Sequence, residues 1–134
     1  MSMPLNLKEG YRQFRTGRYT HEVERYLKLA QGQKPKAMII GCADSRVDPA
    51  TIFSAGPGEL FVVRNVAALA PPYEETPGYH GTSAALEFAI EGLGIEDVVV
   101  MGHSYCGGVQ AALTAATAQP VGRFIRPWVE IMAA

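Results

Sequence analysis

With 134 residues, 48% of them hydrophobic and 19% charged, the chain has the length of one domain and enough apolar material for a core, which excludes a disordered segment. Its 12 basic and 13 acidic residues nearly cancel, to a net charge of −1, and form no run, which argues against nucleic acid or an anionic membrane surface as a partner. The first 20 residues lack the apolar stretch of a signal peptide and no window has the apolar length of a membrane span, so a cytoplasmic protein is expected.

From Leu7 to Gln31, Tyr11, Phe14, Val23, Tyr26, Leu27 and Leu29 recur among charged residues at a spacing that predicts one or two amphipathic helices, stopped by Gly32 and Pro35. Three short apolar runs follow: Ala37-Met38-Ile39-Ile40, ending at Gly41; Leu60-Phe61-Val62-Val63; and Val98-Val99-Val100-Met101, ending at Gly102. Runs without alternation predict strands of a parallel sheet covered by helices on both faces. Between the second and third, Ala70 to Gly78 contains Pro71, Pro72 and Pro77 and reads as a loop. A helix is expected after it, capped by Thr82 or Ser83, with Leu86, Ile90 and Leu93 as its apolar stripe, Ala85 and Ala89 beside them, and Gly94 as its stop. Another helix follows Gly107-Gly108 through Leu113. The fold class is α/β with a parallel sheet, right-handed crossovers being the default. No repeat or linker divides residues 1–134, which read as one domain.

In open parallel sheets, sites form beyond the carboxyl ends of the strands. The first strand ends in Gly41-Cys42-Ala43-Asp44-Ser45-Arg46 and the third in Gly102-His103-Ser104-Tyr105-Cys106-Gly107-Gly108. If the two strands are neighbours, as in the common 2-1-3 order, both cysteines, a histidine, an aspartate and an arginine converge. In a reducing compartment two cysteines far apart in sequence point to burial, metal binding or catalysis rather than a disulfide. Two thiolates and an imidazole suit zinc, and three protein ligands leave the fourth tetrahedral position open. His21 and His80 are not placed by their local sequence to complete the shell and read as surface histidines. Cys42, Asp44 and Arg46 alternate and can share one face. The guanidinium lowers the carboxylate pKa and holds it as an oriented acceptor for a metal-bound water.

The third strand end also resembles the nucleophile elbow of a serine hydrolase, with Ser104 as nucleophile. Cys106 replaces the second glycine of that motif, and no histidine or aspartate follows Ser104, so the triad cannot be assembled in its usual order. No phosphate-binding glycine motif is present.

The pair Cys42-Ala43-Asp44-Ser45-Arg46 and His103-Ser104-Tyr105-Cys106-Gly107-Gly108 resembles the two signature motifs of the β-class carbonic anhydrases. Gly32 to Lys36 and Phe61 to Ala67 agree with that family, and Pro71-Pro72-Tyr73 is similar to its plant-like branch. The resemblance implies one zinc per chain on Cys42, His103 and Cys106, with catalytic roles for Asp44 and Arg46. Asp44, paired with Arg46, would orient the zinc-bound hydroxide or, in a closed state, ligate zinc itself. The substrates implied are carbon dioxide and bicarbonate, in a pocket of Gln33, Phe61, Val66, Phe88 and Gly107, several of them supplied by the partner in a homodimer or higher homo-oligomer. The amino-terminal helices would pack on that partner. Phe88 departs from the plant-like pattern, where tyrosine is usual. Family members also continue with further helices and a strand beside the third, so the resemblance implies a chain shortened at its carboxyl end and a third strand with an open edge. Relatives that hydrolyse carbonyl sulfide or carbon disulfide, or a zinc-binding domain without turnover, are the alternatives.

Overall fold

The computed structural model describes residues 3–133, which fall into two compact units, one up to Gln33 and one from Lys34 onward. In the first, the expected one or two helices are three: α1 (Leu5–Thr16), α2 (Arg18–His21) and α3 (Val23–Leu29). The first break falls at Gly17, whose N–H closes on the Gln13 carbonyl at 2.8 Å, the same oxygen that an added Cβ would meet at 2.8 Å. Glu22, at φ −109° and ψ 25°, makes the second. The breaks fold the aromatic residues onto each other: Phe14 meets Tyr19 and Tyr26 with ring centroids 5.9 and 5.8 Å apart, and the Arg15 guanidinium lies 4.5 Å over Tyr19. Leu5, Leu7, Tyr11 and Leu27 remain exposed.

The second unit is built on the three expected strands, β1 (Ala37–Cys42), β2 (Leu60–Asn65) and β3 (Val98–Met101), all parallel in the order β2-β1-β3. As the central strand, β1 is the buried one: Met38 is 0% and Ile40 1% exposed, packed with Ala89 and Ile95 and flanked by Phe61, Val63, Leu86 and Leu93. The expectation of cover on both faces fails for β3. Its valines are exposed, Val100 by 56%, and among the described residues β3 pairs with β1 alone. Residues 70–80 form the expected loop.

The helix after that loop, α5 (Gly81–Glu87), follows α4 (Pro49–Ile52) in the chain and differs from expectation at both ends. Neither Thr82 nor Ser83 caps it. His80 is the N-cap residue, and Thr82 is buried in the first turn, its hydroxyl accepting from Asn65 Nδ2 at 3.1 Å. At its far end the chain widens into a π-helical turn, Phe88–Gly92, in which the Leu93 N–H reaches the Phe88 carbonyl at 3.0 Å. The extra residue in that turn rotates the stripe: Ala89 takes the core position at 0% exposure and Ile90, expected inside, is 48% exposed. Gly94 ends the segment at φ +67°, a left-handed conformation that glycine adopts without a Cβ clash. After β3 come α6 (Gly107–Ala116) and α7 (Ile125–Val129), then a last 3₁₀ turn, Glu130–Ala133. Val129 is buried, and Arg126 ties the segment down by donating to the carbonyls of Ala115 and Gln119. Among the described residues no helix is long and apolar enough to cross a membrane.

Candidate metal centre

Because β1 and β3 are hydrogen-bonded neighbours, Gly41 lies opposite Met101 and both chain segments leave the sheet at one edge. Cys42 is the last residue of β1, and Cys106 is the N-cap residue of α6, at the positive end of that helix dipole. Their sulfurs lie 3.8 Å apart and both residues are buried and free of disulfide. His103 completes the group, with the three ligand atoms within 4.8 Å of one another.

The sulfur separation matches the edge of a tetrahedron with metal–sulfur arms of about 2.3 Å. The tautomer is also set. His103 Nδ1 lies 2.9 Å from the Ser104 carbonyl, which can only accept, so the ring proton sits on Nδ1 and the Nε2 lone pair is left for the centre. Nε2 is buried and has no hydrogen-bond partner. A buried imidazole nitrogen without a partner is costly in an empty fold, and a metal ion between it and two thiolates removes that cost. Burial pushes the Cys42 thiol up, but the backbone N–H of Asp44, the His103 ring, the Ala67 N–H and Cys106 together outweigh it and lower it to about 7. The donor set thus fits a soft divalent metal.

Beside it, Asp44 Oδ2 is 4.0 Å from His103 Nε2. Arg46 grips this carboxylate through Nε to Oδ1 at 2.9 Å and Nη2 to Oδ2 at 2.7 Å, with its backbone N–H adding a third bond to Oδ1 at 2.9 Å. These hydrogen bonds hold the Asp44 carboxyl well below the usual carboxylate range. Arg46 Nη2 also reaches the carbonyl of Tyr105 at 3.2 Å, joining the loop after β1 to the loop after β3. Tyr105 turns that loop with φ 56°, unusual for a bulky residue, and its side chain is exposed.

Of the remaining expected site residues, Val66 and Gly107 lie at this edge, Gly107 directly after Cys106 and Val66 directly after β2. Phe61 and Phe88 stack on each other with centroids 5.8 Å apart, but Phe61 pairs with Met38, four register positions before Cys42. That is about 13 Å along the strand, so within one chain they do not border the metal ligands. Gln33 closes the amino-terminal unit and is exposed. His21 is exposed, as expected, whereas His80 is half-buried, its Nε2 bonded to the Thr76 carbonyl at 2.8 Å.

Two supporting residues escaped the sequence reading. Arg64, on β2, donates through Nε to the Cys42 carbonyl at 2.7 Å and through Nη2 to the Asp44 carbonyl. Asn65 braces the turn that follows, accepting from the Leu69 N–H at 2.7 Å and donating to the Leu69 carbonyl at 2.8 Å. The signal for both was a charged and an amide side chain ending an otherwise apolar strand at the site edge.

Comparison with known proteins agrees with this geometry. The sequence profile described as carbonic anhydrase matches residues 37–134. β carbonic anhydrase 5, chloroplastic, of Arabidopsis thaliana is 41% identical over 126 residues, 94% of this chain and 41% of the relative. β carbonic anhydrase 3 of the same plant is 40% identical over 129 residues, 95% of this chain and 50% of the relative. The chain therefore spans half or less of the length of these curated relatives. Among solved structures, the β-carbonic anhydrase CcaA superposes with a TM-score of 0.88 at 35% identity, over 96% of this chain and 56% of that one. One of two tetrameric β-carbonic anhydrases from the ascomycete Sordaria macrospora superposes with a TM-score of 0.67 at 33% identity, over 92% and 56%. With the profile covering the whole sheet and both strand-end segments that meet in the Cys42–His103–Cys106 cluster, the chain belongs to the carbonic anhydrase family, and its relatives there are of the β class.

Proposed function

We propose that this chain holds zinc on Cys42, His103 and Cys106, one ion per chain, and catalyses the reversible hydration of carbon dioxide to bicarbonate and a proton. The observation that carries the reading is the orphaned, buried His103 Nε2, with two sulfurs on one side and an arginine-held carboxylate 4.0 Å away on the other. Bound there, zinc supplies a Lewis acid that brings the pKa of a water ligand to about 7. The protein's part is orientation. Asp44, kept ionised by Arg46, can only accept a hydrogen bond, so it admits a donor beside the ligands and fixes its direction. His103 is locked in the ligating tautomer by the Ser104 carbonyl.

Gln33, Phe61, Val66, Phe88 and Gly107 complete the substrate pocket in this proposal, an apolar wall with one amide donor that suits a small apolar molecule leaving as an anion. Since Phe61 and Phe88 lie at the far end of β2 from Cys42, they serve the centre of a second copy, in a homodimer or larger assembly. The exposed leucines of α1 and α3 are in keeping with such packing, and the Sordaria relatives are tetrameric. A cytoplasmic location belongs to the same proposal, since two unpaired cysteines kept as ligands suit a reducing compartment.

The test is metal analysis, stopped-flow hydration and size-exclusion chromatography on one preparation of this chain. One zinc per chain, with hydration in an oligomeric fraction, is expected. A folded sample without metal overturns the zinc assignment. Bound zinc without turnover identifies a zinc-binding domain, and turnover of carbonyl sulfide or carbon disulfide in place of carbon dioxide changes the substrate.

A further inference from the structure

Trp128 belongs to none of the motifs above, yet it reaches the chain beside the centre, at Val66, from 62 positions away. Its indole Nε1–H donates to the Val66 carbonyl at 2.7 Å. Indole nitrogen is a donor only, so the bond has one sense. The Val66 carbonyl and the Ala67 N–H are the two ends of one planar peptide group. The Ala67 end lies in the same buried cluster as two of the proposed ligands, formed by Cys42, Ala67, Ala68 and Cys106. A single peptide therefore carries a hydrogen bond from α7 on one side and packs with two of the proposed metal ligands on the other.

This peptide needs holding. Ala67 and Ala68 have φ of 71° and 54°, consecutive left-handed residues that are not glycine. Asn65 braces the far side of the turn through Leu69. Gly108 backs it so closely that an added Cβ would stand 2.6 Å from Ala67 Cβ. The near side, at the Val66 carbonyl, is held by Trp128.

We propose that Trp128 is a positioning residue of the metal centre, its indole N–H fixing the Val66–Ala67 peptide so that the Ala67 turn stays packed with Cys42 and Cys106. This inference rests on the reading of Cys42, His103 and Cys106 as a zinc site.

The test uses the full chain reconstituted with zinc and, separately, with cobalt(II), whose thiolate charge-transfer band reports on the sulfur ligands. Trp128→Phe keeps the ring and removes the donor. It is expected to weaken zinc binding, measured by chelator competition, about tenfold or more and to shift the cobalt band, with far-ultraviolet dichroism unchanged. Val129→Ala, which removes the buried side chain next to it, is expected to lower thermal stability and leave band and affinity in place. An unshifted band and unchanged affinity in Trp128→Phe overturn the inference, as does an equal shift in Val129→Ala. Should Trp128→Phe not fold, the same comparison is made with the one tryptophan of the chain replaced by 3-benzothienylalanine, which exchanges only the N–H for sulfur. If the parent chain takes up neither metal, the zinc reading itself falls; if the parent binds and the variants match it, only the role of Trp128 falls.

Discussion

Arg46 and Asp44 form a two-pronged ion pair, 2.9 and 2.7 Å, in which the same guanidinium nitrogen that holds Oδ2 also holds the carbonyl of Tyr105. The pair thus fixes the carboxylate relative to both halves of the centre. Asp44→Asn keeps the shape and leaves Cys42, His103 and Cys106 in place but turns half of an acceptor into a donor. Metal analysis is expected to find zinc retained at one per chain, and stopped-flow assays to find hydration reduced by roughly tenfold to a hundredfold. Loss of zinc in this variant would make Asp44 a ligand instead.

The same pair predicts a pH dependence. A carboxyl held below its ordinary range stabilises the fold at pH above its unfolded pKa, about 3.9, and loses that contribution as pH falls through the lower folded value. Arg46→Ala removes the two guanidinium bonds and leaves the backbone N–H of residue 46, which returns the carboxyl part of the way to its ordinary range. Denaturant midpoints of parent and variant should therefore differ most near neutrality and draw together below about pH 4. A gap that stays constant down to about pH 2 would contradict the role given to Arg46.

In metal-free protein, Cys42 titrates at about 7, because its neighbouring N–H groups and the His103 ring outweigh burial. Thiolate absorbance near 240 nm should accordingly rise around neutral pH, below the roughly 8.5 of a free cysteine. His103→Ala removes one of the groups responsible and should shift the rise to higher pH. Zinc added at pH 6 should release protons, measurable in weakly buffered solution.

Gly107 and Gly108 are adjacent but not equivalent. A Cβ at Gly107 meets nothing within 4 Å, whereas at Gly108 it would stand 2.6 Å from Ala67 Cβ, 2.8 Å from Ala67 N and 2.9 Å from Val66 Cγ1. Gly107→Ala should leave thermal stability the same or slightly higher. Gly108→Ala should cost about 1–3 kcal/mol in chemical denaturation, with zinc affinity falling as the Ala67 turn is pushed off Cys42.

Arg64 holds two carbonyls, that of Cys42 itself and that of Asp44 two residues on. Arg64→Met leaves both without that donor, at a cost of about 1 kcal/mol for partly buried acceptors, and should lower zinc affinity. Arg64→Lys should recover little of either, because one ammonium cannot fork to two carbonyls as a guanidinium does.

Much of this protein could be read from the chain alone. Unbroken apolar runs such as Ala37–Ile40 have few alternatives to buried parallel strands, and a parallel sheet brings its strand ends to one edge. That is why the sequence alone groups Cys42, Asp44, Arg46, His103 and Cys106, and the β2-β1-β3 order joins them as expected. What could not be read depends on atoms distant in sequence or on local backbone that side-chain pattern does not encode. The π turn that exchanges Ile90 for Ala89 is a single extra residue in a hydrogen-bond ladder, invisible to a 3.6-residue periodicity. The left-handed Ala67 and Ala68 carry no glycine to announce them and are held by Asn65, Gly108 and Trp128. The residue types and their strand ends specified which groups meet at the centre. The orientation of each group, from the His103 tautomer to the peptide on Cys42, came from hydrogen bonds that exist only once the chain has folded, because a carbonyl recruited from a distant segment has no signature in sequence.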